Sequence, residues 1–233
     1  MDGDNKGEFM QPELKPYASL AYSNEDTIQN THDLALRAIR NNIEGDFVEC
    51  GVAAGAQIGV MGYICQATGS NKKIYAYDSY KGIPLAGPND TDQPGVGPLD
   101  PNRPAPGDLR ELLKSSGVTS HSLESVKYNI GTRWRLDMNR YQFIEGWFQD
   151  TLPFNNIEKI SLLRLDGDLY ESTKVCLEYL HPKVQKGGFV IVDDYALAGA
   201  RKALHEYWDK HGLNYELIPV RPQDKEVHWY QVK

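Results

Sequence analysis

The sequence predicts an α/β fold: a mostly parallel sheet with helices on both faces and an antiparallel hairpin at its end. Three observations predict it. Short apolar runs alternate with helical patterns along most of the 233 residues, as βαβ units require. Two of those runs, 160–165 and 189–192, stop abruptly on carboxylates, at Asp166 and at Asp193-Asp194. Buried parallel strands read as such continuous apolar runs, and ligands bind outside their carboxyl ends. Finally, two strand-like stretches, 215–220 and 226–232, are joined by a turn containing Pro222 and Asp224, which suits an antiparallel pair.

Taken in order, residues 1–22 read as a flexible N-terminal segment able to act as a lid, and residues 23–233 as a single domain. A helix begins at Ser23, which forms a capping-box pattern with Asp26, and carries Ala35, Ile39 and Ile43 at spacings of four. A strand over 47–51 follows, then the small-residue turn 52–55, a helix to about Thr68 closed by Gly69, and a strand over 74–77 that stops on Asp78. Residues 81–117 are rich in proline and glycine. Such a composition cannot support much helix or central strand, and insertions of this length are commonly lids or binding loops. A helix resumes near Ser122, with Leu123, Val126, Ile130 and Trp134 on one side. Tyr141 to Glu145 is a strand leading into Gly146-Trp147-Phe148-Gln149-Asp150. After the Asp166 strand, Asp168 and Glu171 are expected to cap a helix that runs to about Val184. Gly187-Gly188 turns the chain into the Asp193 strand, and a helix over 200–211 ends at Gly212.

Composition narrows the function. The formal charge is −7, with lysines and arginines scattered, which argues against nucleic acid and anionic membranes as partners. No apolar run approaches the roughly 20 residues that span a bilayer, and the polar, acidic N-terminus lacks a signal-peptide core. Cys50, Cys65 and Cys176 form no metal-binding spacing and read as buried free thiols of a reducing compartment. The expectation is a cytoplasmic protein. The six histidines are dispersed and read as surface or packing residues, with His32 able to border a pocket.

The chemistry sits at the strand ends. The stretch Glu49-x-Gly51-x-x-x-Gly55 has a nucleotide-loop shape without the dinucleotide fingerprint, because Ala53 replaces the second glycine. Glu49, an acid at the end of the strand, repels pyrophosphate and attracts an ammonium group. Asp78, at the end of the next strand, is placed for the hydroxyls of a ribose. S-adenosylmethionine carries both groups. Asp166, Asp193 and Asp194 would then share one crevice, either as a cluster of solvated strand-end acids or as a hard-metal site. All-oxygen ligands favour magnesium. Held there, a divalent cation can bind neighbouring hydroxyls and acidify one of them, with Asp193 placed to take its proton.

Several phrases together, GDFVECGVAAG, AYDSYKGIP, EGWFQDTLP, LLRLDGDLYEST, GGFVIVDDY and HWYQVK, resemble the macrocin O-methyltransferase family over roughly residues 25 to 233. The resemblance implies a class I methyltransferase (Rossmann-like) fold with a seven-stranded sheet. It also implies S-adenosylmethionine as donor, magnesium as cofactor and a sugar hydroxyl as acceptor. By motif, Glu49, Gly51, Val52 and Gly55 would hold the methionine part of the donor, Asp78 and Ser79 the ribose, and Phe148, Gln149 and Asp150 the adenine side. Asp166 would touch both donor and metal, Asp193 and Asp194 would complete the metal site, and Asp166 and Asp193 would be catalytic. Related metal-dependent enzymes often carry His or Lys as base three residues after the first metal Asp, where this chain has Leu169. Competing readings are a catechol-type methyltransferase, against which Leu169 counts, and a non-catalytic donor-binding protein. Apolar surface on the first helix leaves room for a homodimer.

Overall fold

In a computed structural model describing residues 10–92, 108–223 and 225–233, the apolar runs become the strands of one sheet. They are β1 (Asp46–Cys50), β2 (Ile74–Asp78), β3 (Tyr141–Glu145), β4 (Ile160–Leu165), β5 (Val184–Val192), β6 (Ile218–Pro219) and β7 (His228–Gln231). Their order is β3-β2-β1-β4-β5-β7-β6. The first five pair in parallel, and β7 pairs antiparallel with both β5 and β6. From β1 the chain builds outward to β3 and then returns to the other side of β1, so the strand order reverses between β1 and β4. A crevice at the carboxyl edge is expected there.

The helices are α1 (Lys15–Ala18), α2 (Glu25–Arg40), α3 (Ala56–Thr68), α4 (Leu123–Tyr128), α5 (Phe148–Thr151), α6 (Tyr170–Leu180) and α7 (Ala198–His211). Strand side chains alternate between faces, which divides the core. Phe47, Leu162, Phe189 and Ile191 pack with Ile28 and Leu34 of α2 and Ile58 and Met61 of α3. Val48, Leu163, Leu165 and Val190 pack with Leu177 of α6 and Leu204 and Trp208 of α7. The three cysteines are buried and free. Among the described residues no helix is long and apolar enough to cross a membrane.

Several boundaries differ from expectation for identifiable reasons. The cap of α2 is Asn24, whose Oδ1 accepts from the Thr27 N–H at 3.0 Å, rather than Ser23. α6 stops at Leu180, because Pro182 cannot extend it and Val184 is already paired with Ile160 in the sheet. The terminal strands are shorter than the stretches that signalled them, and Pro219 sits on the edge strand β6, where a missing N–H is tolerated. The helix at Leu123 widens over Asn129–Arg133 into a π-turn containing Gly131.

Of the segment expected to be loose, residues 10–20 are packed. Leu14 and Tyr17 are buried, the Tyr17 and Trp134 rings lie 4.8 Å apart, and Trp134 Nε1 donates to the Pro16 carbonyl. Residues 1–9 lie outside the described residues. The arms of the insertion are stitched together, Ile83 N–H donating to Val118 O and Leu85 N–H to Leu112 O, both at 3.0 Å. Residues 93–107, its middle, and Asp224 in the last turn also lie outside the described residues.

Candidate active site

The crevice is built from backbone first. β1 and β4 stay bonded past the sheet, the Asp166 N–H donating to Cys50 O at 2.8 Å. Gly51 follows with φ +91, and a Cβ there would lie 1.6 Å from the Asp166 carbonyl oxygen. Asp78 closes the loop from the neighbouring strand. Its Oδ2 accepts from the Val52 and Ala53 N–H groups at 2.6 and 3.2 Å, and its Oδ1 accepts from Tyr80 N–H at 2.7 Å. Burial raises the Asp78 pKa, and these three backbone donors oppose the rise. Gly55, with φ +90, opens α3.

Two adjoining cavities meet here. The first, about 70 Å³, is lined by Gly51, Asp78, Ser79, Phe148, Gln149 and Asp166, with Trp147 beside them. The second, about 730 Å³, is lined by Glu49, Val52, Asp166, Asp193 and Asp194, with Leu20, Tyr22, Leu197 and Val227 as apolar wall. Ala53, Ile83, Thr119, Asp166 and Asp168 border both. Of the expected site residues, Gly55 and Asp150 line neither. Gly55 starts the helix behind the loop, and Asp150 turns outward to accept from Arg110 Nη2 at 2.8 Å.

The acids are arranged by strand register. Glu49 lies directly opposite Arg164. The two-residue period puts Asp166 and Asp193 on the same face. Arg164 is fully buried. Its Nη1 donates to Glu49 Oε1 at 2.9 Å and also to Asp166 Oδ2, and its Nη2 donates to Asp193 Oδ1. Glu49 Oε2 is buried without a hydrogen-bond partner. Burial raises Glu49 well above the usual carboxylate range despite Arg164. Burial also pushes Asp193 up to about 7, with Arg164 opposing. Asp194 is raised by burial and then by Asp168, Asp166 and Asp193.

Asp168 stands beside two of the three expected acids. One oxygen each from Asp166, Asp168 and Asp194 lies within 4.8 Å of the others, and Arg164 donates to both Asp166 and Asp193. Asp168, expected to cap a helix, adopts φ +60, and its N–H donates to Asp194 Oδ2 at 2.8 Å. The N-cap position of α6 is Leu169, with no side-chain cap; the Tyr170 N–H is met instead by Asp90 Oδ1 at 2.7 Å. Three oxygens so close repel one another unless a cation or proton lies between them. An all-oxygen set of this kind suits a hard divalent ion. The donor groups fit as well: Glu49 Oε2 is an orphaned buried acceptor suited to an ammonium, and carboxylate oxygens such as those of Asp78 keep lone pairs for hydroxyl donors.

Sequence reasoning passed over Arg164 and misassigned Asp168. The signal for the first was visible, an arginine inside an otherwise apolar strand and in register with a buried-strand glutamate. Nothing local signals a left-handed Asp168.

The macrocin-O-methyltransferase family model matches residues 10–231. The chain is 35% identical over 210 residues to the demethyldecarbamoylnovobiocin O-methyltransferase of Streptomyces niveus, covering 88% of this chain and 73% of that protein. It is 31% identical over 203 residues to the mycinamicin III 3''-O-methyltransferase of Micromonospora griseorubida, covering 87% and 74%. Among solved structures, the O-methyltransferase NovP superposes with a TM-score of 0.75 at 33% identity, over 91% of this chain and 82% of that one.

Proposed function

The chain belongs to the macrocin-O-methyltransferase family, and from that premise we propose that it transfers the methyl group of S-adenosylmethionine to a sugar hydroxyl, with magnesium held at the strand-end acids Asp166, Asp193 and Asp194, beside Asp168. The observation that carries this reading is the pair of cavities divided at Asp166 and Asp168. A donor in the smaller one and an acceptor in the larger one would face each other across that wall. The relatives named above act, by name, on mycinamicin III and demethyldecarbamoylnovobiocin, and a third, 34% identical, is by name a 4'-O-methyltransferase of a rhamnosyl tetracenomycin, which supports a sugar as acceptor.

Methyl transfer is an in-line displacement, so alignment and exclusion of water do most of the work. In this reading Asp78 and Ser79 accept the ribose hydroxyls, and Glu49 Oε2 takes the donor's ammonium. Phe148 and Gln149 flank the adenine. Magnesium, when bound, orients the acceptor hydroxyl and lowers its pKa. Asp193 lines the acceptor cavity and receives the proton that the hydroxyl loses. Arg164 holds Asp193 in place for that task.

The test is transfer of labelled methyl from S-adenosylmethionine to a panel of glycosides with magnesium or with excess EDTA. Asp194→Asn should lower turnover on the order of 100-fold, while S-adenosylhomocysteine still binds by calorimetry. Full activity in EDTA would remove the metal from the mechanism. Transfer to catechols and to no glycoside would replace the acceptor.

A further inference from the structure

We propose that Thr119 is a specificity-determining residue for the acceptor: its side chain, held where the two cavities meet by a left-handed backbone, bonds a sugar hydroxyl beside the one that is methylated. The inference rests on the sugar-acceptor reading above.

It begins from the backbone. Among the described residues, six other than glycine have a positive φ: Asn42, Ala53, Tyr80, Thr119, Arg135 and Asp168. Asparagine and aspartate tolerate that conformation, whereas a β-branched residue in it is a genuine outlier. Thr119, at φ +53, is the β-branched member of this set. Its place matters more than its rarity. Of the five residues that border both cavities, Ala53, Thr119 and Asp168 belong to these six. Strain of this kind persists only where the surroundings impose it, and it collects at functional sites.

The surroundings here are specific bonds. Just before Thr119, Val118 O accepts from the Ile83 N–H at 3.0 Å, and the Val118 N–H donates to Ser116 Oγ at 3.2 Å. Gly82 brings the other arm of the insertion so close that a Cβ on it would lie 2.4 Å from Val118 O. Just after Thr119, His121 Nε2 lies 2.8 Å from the Tyr22 hydroxyl, and Ser122 Oγ accepts from the Ser125 N–H to cap α4. The chain is pinned on both sides and has to turn between them. Glycine makes such a turn without strain.

What threonine adds is a methyl group and a hydroxyl that both donates and accepts. The other residues at this junction are the apolar Ala53 and Ile83 and the acids Asp166 and Asp168. Thr119 therefore brings the junction its neutral hydrogen-bonding side chain, and it is half-buried, so a ligand can reach it. The acids come from the end of β4, while Ile83 and Thr119 come from the bonded arms of the insertion. Sugars carry hydroxyls on adjacent carbons. With one of them at the acids, a second bonded to Thr119 fixes which hydroxyl meets the donor's methyl group.

Kinetics on those members of the glycoside panel that the wild-type protein methylates, with the methyl position of each product read by NMR, test this. Thr119→Val keeps the shape and removes the hydroxyl. It should lower kcat/KM for the acceptor about ten-fold or more, give a mixture of methyl positions and leave S-adenosylhomocysteine binding unchanged by calorimetry. Thr119→Ser should recover most of the activity and a single product. Thr119→Gly should lose activity as the valine variant does, yet melt at or above the wild-type temperature, since relief of the left-handed strain offsets the looser unfolded chain. A Thr119→Val protein with wild-type kcat/KM and a single product would overturn the proposal. So would a Thr119→Gly protein that loses melting temperature and donor binding together with activity, because the residue would then only shape the loop. A wild-type protein that methylates no glycoside would instead remove the acceptor reading, and the proposal with it.

Discussion

Gly51 and Asp166 show how tightly single residues define this site. The chain passes Gly51 with φ +91, and the atom nearest a hypothetical Cβ is a backbone carbonyl rather than a flexible side-chain tip. A left-handed non-glycine residue costs about 1–2 kcal/mol, and the overlap with Asp166 adds to it. Gly51→Ala should therefore push β1 and β4 apart at their ends, lowering the melting temperature and weakening S-adenosylhomocysteine binding about ten-fold or more by calorimetry, a magnitude typical of misplaced binding groups. Binding at wild-type strength would show that the loop has slack the structure lacks. At this scale the sequence was informative where chemistry is local. A strand that ends on Asp, or a glycine at a strand-to-helix turn, announces itself. Arg164 and Asp168 did not, because the role of the first depends on which residue of another strand stands opposite. The role of the second depends on a φ of +60, which aspartate tolerates better than most residues but which no neighbouring residue announces.

Among the elements, the near arm of the insertion does something its composition gives no hint of. α6 and α7 begin after Leu169 and Leu197, neither of which provides a side-chain cap. The missing acceptors come from far away in the chain. Asp90, 2% exposed, takes the Tyr170 N–H on Oδ1 and the Gly87 N–H on Oδ2, and Asp92 takes the Ala198 N–H at 3.0 Å. Gly199 makes room for this, since a Cβ there would lie 2.0 Å from Asp90 Oδ1. These two helices follow the strands that end on Asp166 and Asp193, so the arm is fastened to the elements that carry the acids. Loss of a capping carboxylate costs about 0.5–2 kcal/mol. Asp90→Ala should sit at the upper end of that range in urea unfolding, and the more exposed Asp92→Ala at the lower end; an Asp90→Ala protein as stable as wild type would mean that the arm is not anchored there. Helix ends with a local cause were legible: Gly69 and Gly212 both stand in left-handed C-cap positions. A cap delivered from 80 residues away was not, although the lack of any capping side chain at Leu169 was a visible gap.

For the molecule as a whole, strand order and the terminal hairpin were readable because alternation of element types and short connections leave few topologies open. What that reading could not supply was how the second core layer is closed. His181 sits in it, 6% exposed, its ring within 5.1 Å of Tyr207 and 6.0 and 6.1 Å of Tyr215 and Tyr230. Its Nδ1 lies 3.3 Å from the Tyr207 hydroxyl. The dispersed histidines were expected at the surface or in packing, and this one is packing. Burial, with His211 adding to it, lowers the His181 pKa to about 4, so the folded protein keeps the imidazole neutral. The unfolded chain protonates it near the ordinary value of about 6.5. Below that pH the unfolded state binds the extra proton, and stability falls as pH drops, levelling off once the folded state also protonates near pH 4. At about 1.4 kcal/mol per pH unit the total loss is on the order of 3 kcal/mol. Several buried carboxylates with raised pKa act in the opposite direction, but they are common to any variant at position 181 and cancel in a difference. His181→Phe should therefore gain on wild type as pH is lowered from 7 to 4.5, whatever constant offset the lost Tyr207 contact introduces at neutral pH. Urea unfolding of both proteins across that range measures the difference directly, and a gap that stays constant with pH would show that His181 is protonated as easily in the fold as outside it.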